Sequence, residues 1–293
     1  ATAGYFLRDE PSADDFAELG AWAARIRATD DAHYCYLNLF PNYAPCETLK
    51  TDSYREYVNR FDREVPLQLL SFDHYPVVGD TCRPEWYENL EIFSDEAREA
   101  GKPFWAFALA TAHEPYPIPD LAQLRLQVYS DLAYGAQGIQ YFTYWTPEKN
   151  PTWDFHHAPV ERSSGRRTDV YDKIKQMNAE IRALSGVFLG CEVVSVRHTG
   201  ESIPRGTVRL TELPDGVKKL ETTGAGAVVS ELRNGNNRFI VIVNRDFKNS
   251  MTLQIELDET ASRILKDGSV VPASIYHETM VVEPGDAMIY MFK

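Results

Sequence analysis

Short apolar runs recur along the first part of the chain at a nearly constant interval. They begin roughly 30 to 35 residues apart, which is the length of a strand followed by a helix and its loops. Because each run is continuously apolar rather than alternating, we expect a parallel sheet covered on both faces, and hence an α/β fold. The predicted strands are residues 5–8, 34–40, 67–72, 104–110 and 139–145.

The intervals between these runs have the spacing of amphipathic helices. Behind Ser12, a residue type that favours the N-cap, five apolar residues follow a helical stripe: Phe16, Leu19, Trp22, Ala23 and Ile26. Comparable patterns predict further helices over residues 54–61, 86–97, 121–132 and 170–184.

The pattern changes near Gly186 to Gly190, and beyond Cys191 apolar and polar residues alternate. This alternation predicts strands at 193–197, 207–213, 227–232, 239–244, 251–257 and 288–292, with hairpin turns at 234–237 and 284–286. We therefore expect a (β/α) unit over residues 1–186 that carries the site, followed by an antiparallel β-sandwich over 187–293. The sandwich is either a rigid appendage or a sugar-binding module.

Charge and cysteine content exclude several classes of protein. The chain has 43 acidic and 30 basic residues, so its formal net charge of -13 repels nucleic acid. We find no apolar run long enough to span a bilayer and no signal-peptide layout. The four cysteines form no CxxC pair, so they suggest neither a zinc site nor a redox motif.

Polar and aromatic residues collect directly after the predicted strands. The carboxyl ends of parallel strands meet at one rim, which is the active-site mouth of a barrel and the ligand edge of an open sheet. The phosphate-binding motifs of nucleotide folds are missing, which favours the barrel. The rim residues are Asp9, Glu10, Asn42, Tyr43, Asp73, His74, Tyr75, His113, Glu114, Trp145 and Trp153.

Paired carboxyl groups at such a rim are typical of glycoside hydrolysis, in which one acts as acid and the other as nucleophile or base. Because neighbours on a strand point to opposite sides, only one of Asp9 and Glu10 can face the barrel axis, and the other faces the helices or pairs with Arg8. We assign the acid to Glu10. The second carboxyl group is Glu114 or Asp73, and the sequence does not separate these two.

The aromatic residues and histidines of the rim suggest two kinds of ligand. Tyr43, Tyr75 and Trp145 could stack on sugar rings, although aromatic residues also fill cores. The histidines, including the pair His156 and His157, raise a metal hypothesis, but neither HxH nor HExxH is present. We therefore expect no metal and no organic cofactor.

These residues resemble the (β/α)8-barrel glycoside hydrolases of clan A, and most closely glycosyl hydrolases of gut Bacteroides-type bacteria. The motifs that carry the resemblance are GYxLRDEP, SFDHYP, FWAF and YGAQGIQYFTYWTP. The resemblance implies that Glu10 is the acid/base glutamate at the end of strand four, with Asp9 in the place of an asparagine. It also implies that His74 or Tyr75 supports the nucleophile and that Trp145 forms the floor of the sugar subsite. By the same resemblance, the protein is periplasmic or secreted and degrades polysaccharides.

The chain departs from that family in two respects. The run 104–110, which would be strand seven, ends without the nucleophilic glutamate, and Glu114 comes late. If Glu10 ends strand four, strands one to three are missing, and a segment on the order of 100 residues would be a separate chain or a removed piece. The sequence thus favours a retaining glycoside hydrolase, with an inert carbohydrate-binding barrel and a metal-assisted hydrolase as alternatives.

Overall fold

The computed structural model describes residues 3–258 and 261–293. Its first part contains five parallel strands and one short hairpin. In chain order the strands are β1 Gly4–Asp9, β2 Tyr34–Asn38, β3 Leu70–Asp73, the hairpin β4 Val77–Val78 and β5 Thr81–Cys82, β6 Phe104–Leu109 and β7 Gly138–Phe142. The five predicted strands are therefore confirmed, with ends that differ by a few residues.

The parallel strands lie side by side in chain order. β1 pairs with β2, and β3 pairs with β6, which pairs with β7. A bridge between Leu39 and Phe72 continues the order from β2 to β3. In the described part of the chain β1 and β7 are not paired with each other, so the five strands form an open sheet with these two at its edges.

Helices follow the strands as predicted. They are α1 Phe16–Thr29, α2 Cys46–Leu49, α3 Tyr54–Glu64, α4 Trp86–Ala100, α5 Leu121–Ala133, α6 Asp169–Ala183 and α7 Ser185–Phe188. Ser12 caps a short turn before α1, because its backbone N–H donates to the Asp15 carboxylate. The expected stripe on α1 is wrong at Trp22, whose side chain is 42% exposed.

The helices cover one face of the sheet. Cys35 and Leu37 on β2, and Leu39 directly after it, are buried in the core that the sheet shares with the helices. The opposite face carries Phe6, which contacts Tyr36 at 5.7 Å between ring centroids. Phe6 is 62% exposed, so the expectation of a sheet covered on both faces is wrong for this edge.

The remainder of the chain is antiparallel, as expected. Its strands are β8 Glu192–His198, β9 Val217–Thr222, β10 Ala227–Asn234, β11 Asn237–Asn244, β12 Met251–Leu257, β13 Ser262–Ile264, β14 Val270–Pro272, β15 Glu278–Val282 and β16 Ala287–Phe292. They form a sheet of order β14-β13-β16-β11-β10-β8 and a second of order β15-β12-β9. The turn at 234–237 is confirmed, since Asn234 pairs with Asn237 and Gly235 has φ +59°.

Two predictions for this part are wrong. Residues 207–213 form no strand, and Arg209 makes only an isolated bridge with His198. The turn at 284–286 does not close a hairpin, because β15 pairs with β12 whereas β16 pairs with β11. The short strands β13 and β14 and the polar strands β9 and β15 escaped prediction because their apolar alternation is weak.

Direct contacts join the antiparallel part to the helices of the first part. Ser230 on β10 donates to the Ala133 carbonyl at the end of α5, with 2.6 Å between the oxygens. Arg205 pairs with Glu88 of α4 at 2.6 Å. All four cysteines are free, and no described helix is long and apolar enough to cross a membrane.

Candidate active site

The end of β1 brings two neighbouring carboxyl groups to the same place. A register shift between Phe6 and Arg8 places Asp9 opposite Asn38. Glu10 then leaves the extended conformation with φ +43°, which L-residues adopt rarely. The alternation expected for Asp9 and Glu10 is therefore wrong, because Glu10 no longer belongs to the strand.

Three carboxyl groups meet at this point. The side chains of Glu10 and Asp73 lie close enough to raise the pKa of Glu10, and Asp9 lies close enough to act on both electrostatically. Arg8 does not neutralise them, because it pairs with Asp15 at 3.2 Å. Like charges that share a site make it costly to ionise all of them.

The carboxyl groups of Glu10 and Asp73 have different pKa values. Loss of solvent, together with the carboxylates of Asp73 and Asp9, raises the pKa of Glu10 to about 8. Loss of solvent and the Asp9 charge raise the pKa of Asp73 to about 6, while hydrogen bonds from Asn38 and Tyr75 favour its ionised form. Glu10 is therefore the member of the pair that keeps its proton to higher pH. Removal from water also raises the pKa of Asp9.

A hydrogen-bonded chain behind Asp73 consists of residues that the sequence analysis did not select. Asn38 Nδ2 donates to Asp73 Oδ1 at 2.6 Å, and Ser71 Oγ donates to Asn38 Oδ1 at 3.0 Å. Gln140 Nε2 donates to Ser71 Oγ at 3.0 Å, and the Tyr36 hydroxyl lies 2.9 Å from it. The alternation of side chains along a strand could have identified them, because residues two positions apart lie on the same face. Ser71 precedes Asp73 by two residues, and Tyr36 precedes Asn38 by two.

Tyrosines and one arginine line the site next to Asp73. The Tyr75 phenol is hydrogen-bonded to the Asp73 carboxylate. The Arg83 guanidinium lies 4.3 Å from the centroid of the Tyr43 ring, and its Nη2 donates to the Tyr116 hydroxyl at 3.2 Å. No sequence signal marked Arg83, which the β4–β5 hairpin turns back towards this site.

Two residues that we predicted as substrate contacts, His74 and Asn42, have protein neighbours around their side chains. His74 is 1% exposed, neither of its ring nitrogens has a hydrogen-bond partner among the described residues, and burial lowers its pKa to about 3. It follows Asp73 directly and points to the other side, where its ring lies 5.0 Å from that of Tyr43. The Asn42 amide donates to the Glu85 carbonyl at 2.9 Å, so it holds the loop to the start of α4.

Two predicted site residues after β6, Glu114 and His113, have their contacts in the loop that follows the strand. Glu114 is exposed, and its backbone N–H donates to Asp154 at 2.9 Å. His113 is buried, its Nδ1 lies 3.0 Å from the Thr111 carbonyl, and burial lowers its pKa. Its ring packs against Tyr116, Phe142, Trp153 and Phe155. Of the two candidates for the second carboxyl group, the structure brings Asp73 to Glu10.

The segment after β7 adds exposed aromatic rings and a cavity. Trp145 is 48% exposed and lies edge-on to Tyr144 at 5.2 Å. A cavity of about 540 Å³ lies within this segment and does not include the carboxyl pair. Its lining residues are Thr146, Pro147, Glu148, Lys149, Phe155, His156, His157, Glu161, Arg162 and Ser163.

The histidines do not assemble into a metal site in the part of the chain that the structure describes. No group of three or more His, Cys, Asp or Glu side chains there is placed to hold a metal ion. His156 Nδ1 lies 3.0 Å from the Ala112 carbonyl, so one nitrogen of the predicted pair is engaged by the backbone.

A family model described as beta-galactosidase matches residues 33–184, which is just over half of the 293 residues. The chain belongs to this beta-galactosidase family, Glyco_hydro_42. The match extends from just before β2 to the end of α6, so the beta-galactosidase family region includes Asp73. It supports the resemblance to clan A glycosidases but not an origin in Bacteroides.

Several solved structures of glycosidases are similar to this member of the beta-galactosidase family. The beta-galactosidase from the psychrophilic Marinomonas ef1 is 14% identical, with a TM-score of 0.44 over 59% of this chain and 27% of that chain. An Anoxybacillus alpha-amylase is 12% identical, with a TM-score of 0.48 over 94% of this chain and 55% of that chain. The GH51 alpha-L-arabinofuranosidase from Thermotoga petrophila RKU-1 is 10% identical, with a TM-score of 0.45 over 96% of this chain and 62% of that chain. The chain thus spans less than two thirds of each of these proteins, and no curated protein sequence matches it.

Proposed function

We propose that this chain carries the acid and the nucleophile of a retaining glycoside hydrolase that cleaves O-glycosidic bonds. The observation that carries the proposal is that the strand ends bring the carboxyl groups of Glu10 and Asp73 together, with the higher pKa on Glu10. A retaining mechanism needs carboxyl groups about 5 to 5.5 Å apart, whereas an inverting one needs about 6.5 to 9.5 Å to admit a water. The closeness of the two carboxyl groups leaves no room for that water, and they would have to part to about 5 Å around a bound sugar for the retaining mechanism that we propose.

The reaction proceeds in two balanced steps. In the first, an Asp73 oxygen attacks the anomeric carbon, the glycosidic C–O bond breaks, and Glu10 gives its proton to the departing oxygen. In the second, Glu10 takes a proton from water while the water oxygen attacks the same carbon. The ester bond to Asp73 then breaks, and both carboxyl groups return to their starting states.

The substrate side of the proposal rests on the surrounding rings. Tyr43, held beside Arg83, and the exposed Trp145 offer flat apolar surfaces on which a sugar could stack. The family description makes a β-galactoside the first substrate to test. The sugar-binding contacts of Asp9, Tyr43, Tyr75, His113 and Trp145 are part of this proposal.

Turnover of a panel of aryl glycosides, including β-galactosides, tests the proposal. We expect Asp73→Asn to abolish turnover and a slow 2-fluoro glycosyl donor to leave a sugar ester on Asp73, detected by mass spectrometry of peptides. An ester on Glu114 would instead assign the nucleophile to that residue and overturn the pair proposed here. A first-formed product of inverted configuration would exclude retention.

An inert carbohydrate-binding protein is the second candidate, favoured by the exposure of Trp145 and of Tyr144, which is 57% exposed. It predicts sugar binding without turnover across the whole panel. In that case Asp73→Asn would leave the affinity for sugar unchanged.

We also propose that the open sheet is completed by three further βα units, from a segment outside this sequence or from a separate chain. The proposal is supported by the unpaired edges of β1 and β7 and by Phe6 and Tyr34, which are 62% and 47% exposed on the side away from the helices. Comparison of native with denaturing mass spectrometry of the purified protein separates the two sources. A single species with the mass of these 293 residues and a closed, protected sheet would contradict it.

The division into a catalytic unit over 1–186 and an accessory sandwich over 187–293 belongs to the same proposal, as do the periplasmic or secreted location and a role in polysaccharide degradation. In this arrangement the antiparallel part supports α4 and α5 from behind, through contacts such as Arg205 with Glu88.

A further inference from the structure

The chain of hydrogen bonds behind Asp73 crosses most of the sheet. It begins at Gln140 on β7, passes through Ser71 on β3 and Asn38 on β2, and ends at the Asp73 carboxylate. Asn38 and Ser71 are 4% and 0% exposed, so solvent does not compete for these bonds. The links therefore lie within the fold rather than on a mobile surface.

With Asp73 ionised, the direction of every bond in this chain follows from the partners. An ionised carboxylate only accepts hydrogen bonds, so the Asn38 atom that faces Asp73 must be the amide nitrogen. The Asn38 oxygen then faces Ser71, whose single proton is donated to it. With that proton used, the Ser71 oxygen accepts from Gln140 and from Tyr36, and both of its lone pairs are occupied.

We propose that Asn38 is a positioning residue, held by Ser71, that fixes Asp73 as the proton-free partner of Glu10. Reversal of the Asn38 amide would place its oxygen against the Asp73 carboxyl group, which suits only a protonated Asp73, and would turn the Ser71 proton towards Tyr36. The orientation found, with the Asn38 NH₂ group on Asp73, therefore stabilises the ionised form of Asp73 and leaves the proton to Glu10. This inference rests on the proposed function.

No basic group offsets the charge of Asp73 in the described residues, since no Lys, Arg or His there forms an ion pair with it. The titratable groups that act on it from the packed elements are carboxyls and phenols: Asp9, Glu10, Tyr36, Tyr43, Tyr54, Tyr57 and Tyr75. The Asn38 amide is thus one of few donors that stabilise its ionised form.

Carboxyl-carbon NMR titration of the protein without substrate tests the inference directly. We expect Asn38→Ala to raise the lower apparent pKa of the carboxyl pair by about one pH unit, because a hydrogen bond to the ionised form is lost. Ser71→Ala, which removes one buried hydroxyl and frees the amide to turn, should shift it in the same direction by less. Asn178→Ala is the matched control, because this α6 amide also contacts a β7 residue, Tyr141, at 3.1 Å, but lies outside the network.

Kinetics provide a second readout on any substrate that the wild-type protein turns over. The acid limb of kcat/KM should move to higher pH in Asn38→Ala and Ser71→Ala, with the alkaline limb less affected. Unchanged carboxyl titrations in both folded variants would overturn the positioning role even if the enzyme is active. Absence of turnover in the wild type would instead count against the proposed function, while the titration still decides the role of Asn38.

Discussion

The backbone N–H of Glu10 donates to the carbonyl oxygen of Asn38 at 2.9 Å. This bond continues the β1–β2 ladder by one residue after Glu10 has already turned to φ +43°. The residue that carries the acid is therefore anchored through its main chain to the strand that orients Asp73.

The positive φ of Glu10 leads to the first prediction, which concerns stability. Glycine adopts this conformation without steric cost, whereas alanine does not, so Glu10→Gly should be more stable than Glu10→Ala by about 1 kcal/mol. Urea denaturation of the two variants measures the difference. Equal stabilities would mean that the backbone relaxes from this conformation.

Replacement of the acid gives the second prediction. Glu10→Gln keeps the size of the side chain but has no transferable proton, so kcat should fall by about 10² to 10⁴ for substrates with poor leaving groups. The dissociation constant for sugar should stay within a few-fold of the wild-type value, as measured by calorimetry. A variant with full turnover would remove Glu10 from the mechanism.

The pH dependence of activity is the third prediction. The active form holds Glu10 protonated, with a pKa of about 8, and Asp73 ionised, with a pKa of about 6. A plot of kcat/KM against pH should therefore be bell-shaped with its maximum near pH 7. A plateau that extends from pH 5 to pH 9 would contradict this pairing of roles.

The raised pKa of Glu10 in the folded chain gives a fourth prediction, which concerns stability. Between the ordinary pKa of 4.5 and about 8, folded Glu10 keeps a proton that the unfolded chain releases, so rising pH favours unfolding across that interval. Glu10→Gln has no such ionisation. Its melting temperature relative to wild type should therefore rise from pH 5 to pH 8, as followed by thermal scans at each pH.

A control for that experiment is Glu18→Gln, which removes an exposed carboxyl group of α1. Its melting temperature relative to wild type should not change over the same pH interval. A parallel rise in both variants would show that general charge repulsion, and not the site, causes the effect.

Much of the fold could be predicted because it depends on local patterns. Continuous apolar runs and helical stripes indicated all five parallel strands and their helices, and the Asn-Gly turn indicated the hairpin between β10 and β11. Predictions failed where a distant partner decides the structure. Trp22 fits a helical stripe but meets no neighbour that covers it, and residues 207–213 alternate but have no strand to pair with.

The candidate site was predictable in its location but not in its pairing. Strand ends indicated the rim, and Glu10 and Asp73 were both selected from it. The choice between Asp73 and Glu114 depends on where two loops go, which no local pattern records. Asn38 and Ser71 were overlooked because a polar residue inside a strand was not compared with the acids two positions away.

The extra residue at Leu7 has a consequence for tolerance to insertions and deletions. Phe6 pairs with Tyr36 and Arg8 pairs with the next residue of β2, Leu37, so Leu7 has no partner and forms a β-bulge. Loss of Leu7 would straighten β1 without moving Asp9 from its place opposite Asn38. Changes of strand length on the N-terminal side can thus be absorbed there, whereas one residue added or lost between Arg8 and Pro11 would separate the proton donor from its partner.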